Sequence, residues 1–256
     1  MTAFTKLHRI VDQIFDHVFD ALLVSSCAMC DRSASDVCCI DCWRQIQQGQ
    51  LSLKQGIEQV SLQLNPDAGS APTCLLSWGN YQGSLKRAIA TLKYGNQEAL
   101  GHRLGQELGH LWVKANLTPP ASLSQSTVVV PIPLHAEKQA QRGYNQAELI
   151  AAGFCDITGF KLLPSLLERS RSTEAQFGLS VTQREHNLTG AFRVNRTCLR
   201  KSGRSPHRKV ILIDDIYTTG ATIRAAAATL ALQQISVAGI AAMARPQRDQ
   251  SASKTV

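Results

Sequence analysis

Two hydrophobic periods alternate along the chain. At the amino end Phe4, Leu7, Val11, Ile14, Phe15, Val18 and Leu22 recur every three or four residues, the spacing of one face of an amphipathic helix. Asp12, Asp16 and Asp20 interrupt the stretch, so it does not read as a secretory signal. Its acid-rich polar face disfavours an anionic membrane, and docking on a core or a partner is expected. Residues 47–73 are polar and rich in Gln, Ser and Pro, and read as a helix or an irregular linker. Beyond them apolar runs at Cys74–Trp78, Thr127–Val130 and Val210–Ile213 predict strands. Helical patterns cover 83–94, 97–114, 136–158 and 221–232, and a further strand is expected over 235–243. Leu162–Leu167 is apolar but broken by Pro164, so it should be extended, and 168–190 is polar and charged. Strands alternating with helices predict an α/β fold with a parallel, doubly wound sheet.

No charge occurs from Ala225 to Ala244, long enough to cross a bilayer. Gln233, Gln234 and Ser236 lie inside it, and a buried helix followed by a buried strand explains it better. A soluble, cytoplasmic protein is expected.

Charge divides the chain. The net charge is +8 over 256 residues, but residues 1–75 carry 5 basic and 8 acidic side chains, and 76–256 carry 22 and 11. An acidic head and a basic body suggest two units: 1–73 with its linker, and 74–248, followed by a tail at 249–256. The basic excess points to phosphates, nucleic acid or another acidic partner. Aromatic residues make up only 5%, which weakens a broad base-stacking surface.

Five of the eight cysteines fall within sixteen residues. Cys27-Ala-Met-Cys30 and Cys39-Ile-Asp-Cys42 are two C-x-x-C knuckles, which together offer four thiolates to one tetrahedral ion, most suitably zinc. Four thiolates leave no open position, so the metal would be structural, in a small knuckle or ribbon. Cys38 is the spare, and the alternative Cys38-x-x-x-Cys42 pairing breaks the knuckle geometry. Cys74, Cys155 and Cys198 are scattered and read as core or surface residues.

The segment 196–209 holds six basic residues, no acidic one, and Gly203 and Pro206. It reads as an exposed basic loop, either merely solvated or contacting phosphate or nucleic acid. Just after it, Val210-Ile-Leu-Ile-Asp214-Asp215-Ile-Tyr-Thr218-Thr219-Gly220-Ala221-Thr222 joins a buried strand, two carboxylates, a Thr/Gly turn and a helix start. Backbone N–H groups of such a turn converge on an anion, and threonine hydroxyls add donors. Its place after a strand is where open α/β sheets bind ligands. An acid pair there can also bind magnesium or cap the helix. Neither a Walker A loop nor a dinucleotide fingerprint is present here.

Residues 210–222 resemble the phosphoribosyl pyrophosphate signature of type I phosphoribosyltransferases. Leu92-Lys93-Tyr94-Gly95, Val130-Pro-Ile-Pro-Leu-His135 with Arg142-Gly-Tyr-Asn-Gln146, and the spaced residues Arg169 to Asn187 resemble the ComF/ComFC/GntX competence family within that superfamily. The cysteine knuckles match the same family, and the resemblance runs from about residue 20 to 246. It implies a type I phosphoribosyltransferase sheet carrying an amino-terminal zinc-knuckle domain. Asp214 and Asp215 would then hold ribose hydroxyls, and Thr218, Thr219, Gly220, Ala221 and Thr222 would wrap the 5′-phosphate. His135 and Lys93 would face pyrophosphate, and Arg169, Arg171 and Arg184 would stabilise its charge from a loop that closes over the substrate. Arg142 and Asn145 would line the site or stabilise a helix start.

The implied chemistry is displacement of magnesium-bound pyrophosphate at the ribose anomeric carbon. The implied role is competence: binding phosphoribosyl pyrophosphate or a related ligand while single-stranded DNA is taken up and processed. A competence helicase and other uptake proteins would be the partners. The alternatives are an active phosphoribosyltransferase in nucleotide or base salvage, and a nucleic-acid scaffold with a vestigial pocket. The fold also serves ligand sensors, so membership alone does not assign catalysis.

Overall fold

The two periods resolve into a six-stranded sheet with helices on both faces. The computed structural model describes residues 25–62, 72–117, 127–170, 190–201 and 209–247. The expected amino-terminal helix, Arg171, Arg184 and the centre of the basic segment lie outside the described residues.

Two short strands, β1 (Ser25–Ser26) and β2 (Ser33–Ala34), form an antiparallel pair, and helix α1 (Ile40–Gln47) follows. A single turn, α2 (Leu53–Gly56), leads into β3 (Ile57–Val60) and then β4 (Thr73–Asn80). Helices α3 (Gly83–Tyr94) and α4 (Glu98–Lys114) precede β5 (Thr127–Pro131). Next come α5 (Ala136–Arg142), α6 (Gln146–Thr158) and β6 (Lys161–Leu162). A ribbon of β7 (Leu167–Arg169) and β8 (Phe192–Val194) is followed by α7 (Arg196–Lys201), β9 (Lys209–Ile216), α8 (Ala221–Ala231) and β10 (Ser236–Arg245).

The sheet order is β3-β4-β10-β9-β5-β6, parallel except for the antiparallel edge strand β3. Period-two alternation sorts the core. Val128, Val130, Val210, Leu212 and Ile240 join the cluster under α8, while Val129, Ile211, Ile213, Ala241 and Met243 join the one beneath α3, α4 and α6. Helices α4 and α6 approach very closely. A Cβ on Gly105 would collide with the carbonyl oxygen of Ile150, and one on Gly153 with that of His102.

Four local expectations change, the first at Leu162–Leu167, expected to be extended, where Pro164–Leu166 forms a 3-10 turn. Residues 57–60, read as linker, pair along β4 from Ile57↔Leu76 to Val60↔Thr73. The helix expected over 136–158 is two helices, broken where Gly143 takes φ +80°. The first part of the basic segment, read as loop, is helical as α7. The uncharged stretch 225–244 is α8 and β10, as expected, and no helix among the described residues is long and apolar enough to cross a membrane.

Candidate functional site

Strands β5 and β9 are neighbours, yet their connections diverge. From β5 the chain crosses by α5 and α6 to β6 at one edge, and from β9 by α8 to β10 in the other direction. Between their carboxyl ends lies a crevice, the place where doubly wound sheets bind ligands. A cavity of about 460 Å³ occupies it.

One wall is Asp214 and Asp215 with Thr218 and Thr222; the other is the 132–134 turn with Lys138, Arg142 and Arg169; Lys93 reaches in from the end of α3. Lys93 Nζ lies 2.6 Å from Asp215 Oδ2. The Asp214 carboxylate accepts the Asp215 N–H at 2.8 Å. Burial, then the charge of Asp215, hold the Asp214 carboxyl well above the usual carboxylate range, with Lys93 partly opposing. Burial alone would depress Lys93, but the charges of Asp215 and Asp214 outweigh it and raise its pKa. Arg169 is lowered by burial, with Asp214 acting the other way. Lys138 is lowered by burial and by the charges of Arg169, Arg142 and Lys93. Four cations therefore face two carboxylates, and an anion entering among them relieves their mutual repulsion.

The Arg142-Gly-Tyr-Asn-Gln146 turn builds the cationic wall. Gly143 caps α5 in the left-handed region. Tyr144 Oη donates to the Leu92 carbonyl at 2.6 Å, fixing the turn to the end of α3 beside Lys93. Asn145 donates to the Ile132 carbonyl at 3.0 Å and accepts from Ala147 N–H at 3.1 Å, so it caps α6 and anchors the loop after β5. Arg142 donates to Gln146 Oε1 at 2.8 Å. Arg142 and Asn145 thus both line the cavity and order the chain, joining the two roles the sequence left open.

On the opposite wall Gly220 holds φ +77° before α8, and a Cβ there would collide with the Tyr217 hydroxyl. Thr219 Oγ1 accepts the Ala221 N–H at 3.4 Å. Thr219, Gly220 and Ala221 form the turn, while Thr218 and Thr222 line the cavity. His135 is not among the lining residues. It caps α5, accepting the Glu137 N–H at 3.4 Å, and forms a bridge with Arg169. Arg169 does line the cavity, at the end of β7. Lys138 and Tyr81 were missed by sequence reasoning. The four-residue step from Lys138 to Arg142, which puts both on one helical face, was the available signal for the lysine.

The knuckles converge on a second cluster. The sulfurs of Cys27, Cys30, Cys39 and Cys42 all lie within 4.8 Å of one another. Zinc–sulfur bonds of about 2.3 Å place tetrahedral sulfurs roughly 3.8 Å apart, and Cys30 and Cys39 are 3.7 Å apart. The donor set and spacing fit a structural metal such as zinc, and the four cysteines could hold one. Arg32 donates to Cys30 Sγ at 3.3 Å and to Cys39 Sγ at 3.5 Å, lowering the Cys30 thiol to about 6. Burial and then the neighbouring thiols push Cys42 up to about 12. Cys38, also buried, stands outside the set. The knuckle packs on α3, where Arg87 donates to the Met29 carbonyl at 3.2 Å.

No family model matches the chain. Its sequence is 30% identical over 166 residues to competence protein F of Haemophilus influenzae, covering 64% of this chain and 70% of that one. The chain belongs to the ComF/ComFC competence family. Within it, the DNA utilization protein YhgH of Escherichia coli K12 is 27% identical over 149 residues, covering 58% of this chain and 62% of that protein. Competence protein ComFC of Streptococcus pneumoniae is 35% identical over 94 residues, 37% of each chain. The names of these ComF relatives point to a role in competence and DNA utilization.

Proposed function

We propose that the crevice binds phosphoribosyl pyrophosphate or a related phosphorylated ligand, and that the protein uses it in the cytoplasm while single-stranded DNA is taken up and processed during natural transformation. The observation that carries this reading is the opposition of Asp214 and Asp215 to Lys93, Lys138, Arg142 and Arg169 across one cavity. The carboxylates are suited to accept from vicinal ribose hydroxyls. The Thr218–Thr222 turn, with the α8 amino terminus, is suited to a 5′-phosphate. The cations are suited to a pyrophosphate, whose remaining charge magnesium would neutralise. A competence helicase and other uptake proteins are the partners of this reading.

Titration calorimetry with phosphoribosyl pyrophosphate and magnesium tests it. The wild type should bind, and Asp214→Ala with Asp215→Ala should lower affinity at least about tenfold, the loss of one or two charge-assisted hydrogen bonds. A wild type that binds no such ligand sinks the reading. The partial burial of the four cations favours a second reading, catalysis, because charges there stabilise a departing pyrophosphate more strongly than in water. Pyrophosphate release across a panel of acceptors decides it.

A further inference from the structure

Lys93 and its neighbour Tyr94 end α3 in different settings: the lysine lines the cavity, and the tyrosine, outside the lining, is 79% exposed. Among the described residues the most exposed large apolar side chains are Ile40, Tyr94, Val113 and Leu232, and Tyr94 alone of these is aromatic. Its ring is positioned rather than loose. The Arg142 guanidinium carbon sits 5.3 Å from the ring centroid, and Arg142 itself lines the cavity and is oriented by Gln146. Arg142 can therefore cover the tyrosine on one side while serving the anion site on the other. An exposed aromatic ring packed on an arginine that itself lines a cationic pocket suits a ligand with a phosphate at one end and a flat ring at the other.

We propose that Tyr94 is the base-stacking residue of this site, and that the site takes a phosphorylated nucleotide, with its phosphate in the crevice and its base on the tyrosine ring. This rests on the phosphate-binding reading above and adds to it that the ligand carries a nucleobase. The low aromatic content is consistent with it, since one ring seats one base and not a run of them. Two sources share this chemistry: a free 5′-mononucleotide and the 5′-phosphorylated end of a single DNA strand.

The test is titration of the full chain with ribose 5-phosphate, adenosine 5′-monophosphate and a 5′-phosphorylated oligodeoxynucleotide. Tyr94 is exposed, so its substitution should leave the fold intact. Tyr94→Ala should weaken one or both base-bearing ligands about five- to a hundredfold, leave ribose 5-phosphate unchanged, and be rescued by Tyr94→Phe. Whichever base-bearing ligand responds identifies the source. Equal binding of all three ligands by wild type and Tyr94→Ala overturns the stacking role but spares the phosphate site. Equal weakening of all three also overturns it, because Tyr94 would then act only through Arg142. Failure of the wild type to bind either base-bearing ligand overturns the nucleotide proposal, while the phosphate-binding reading stands or falls with the phosphoribosyl pyrophosphate titration above.

Discussion

Around the knuckle, four thiols lie within 4.8 Å of one another; in the crevice, two adjacent carboxylates share a wall of one cavity. Both arrangements crowd groups that repel once ionised. At the knuckle the four donors lie together and could saturate a tetrahedral ion, and Arg32 meets their charge from outside. In the crevice one carboxylate is met by Lys93, and the opposing wall carries three more cations across an open space of about 460 Å³. The first arrangement is closed, which suits a structural role. The second leaves charge facing a volume that a ligand can fill, which suits binding.

The largest effect that separates them is metal removal. Structural zinc sites carry apparent binding free energies of about 10–16 kcal/mol in small peptides. Chelation, or Cys42→Ser, should therefore release one metal ion per chain and unfold the 25–47 region. Trp43, whose ring lies 4.9 Å from the Arg103 guanidinium on α4, reports on it by fluorescence. Cys38→Ser should retain the metal. Equal metal loss from both serine variants would reassign the ligands and break the comparison.

The two regions also differed in how far the sequence revealed them. The knuckle was legible because its chemistry is local: two C-x-x-C units eight residues apart suffice to bring four sulfurs together. The Asp214–Thr222 wall was legible for the same reason, since strand, acids, turn and helix start are contiguous. The cationic wall was less so. Lys138 becomes a site residue only because Gly143 ends α5 and Asn145 ties the following helix to Ile132, and that geometry joins segments distant in sequence. Strand β3 was missed because Ile57-Glu-Gln-Val60 is short and half polar. It is an edge strand, and its pairing with β4 depends on a partner more than ten residues away. His135 was assigned to pyrophosphate by resemblance, while its ring in this structure is engaged as a helix cap.

Loss of Lys93 should come next in size. Its pair with Asp215 is mostly shielded, with side-chain exposures of 21% and 15%. Lys93→Met would leave two adjacent carboxylates without their nearest cation, at a cost of about 3 kcal/mol, the low end for a broken buried pair. The pH dependence sharpens this. The Asp214 carboxyl titrates well above its usual range because of burial and then Asp215, so the folded state holds a proton that the unfolded chain has lost. Its contribution to stability is complete below the usual carboxylate range and declines as pH rises through the raised value. Urea midpoints should therefore fall across that window, more steeply in Lys93→Met and more shallowly in Asp214→Asn. A flat profile in the wild type would remove Asp214 as a strained carboxylate.

Arg32 is the counterpart of Lys93 at the knuckle, and the smallest effect is expected there. Its side chain is 61% exposed, pairing with Asp41 at 3.1 Å while donating to two sulfurs. Water screens such contacts, so Arg32→Ala should leave the unfolding midpoint nearly unchanged. Its influence should appear instead in competition between metal and protons. Arg32 is the first cause of the low Cys30 pKa of about 6, so without it the thiol binds its proton more readily. Zinc affinity should fall about tenfold, the lower end for loss of a group that orients metal ligands, and half-release should move to higher pH. Zinc release followed with a chromogenic chelator across a pH series measures the shift. A large loss of stability with no shift in the release pH would mean that Arg32 holds the fold and not the thiolates. The saturated and open sites would then share one mode of charge compensation, with a buried-type ion pair at each.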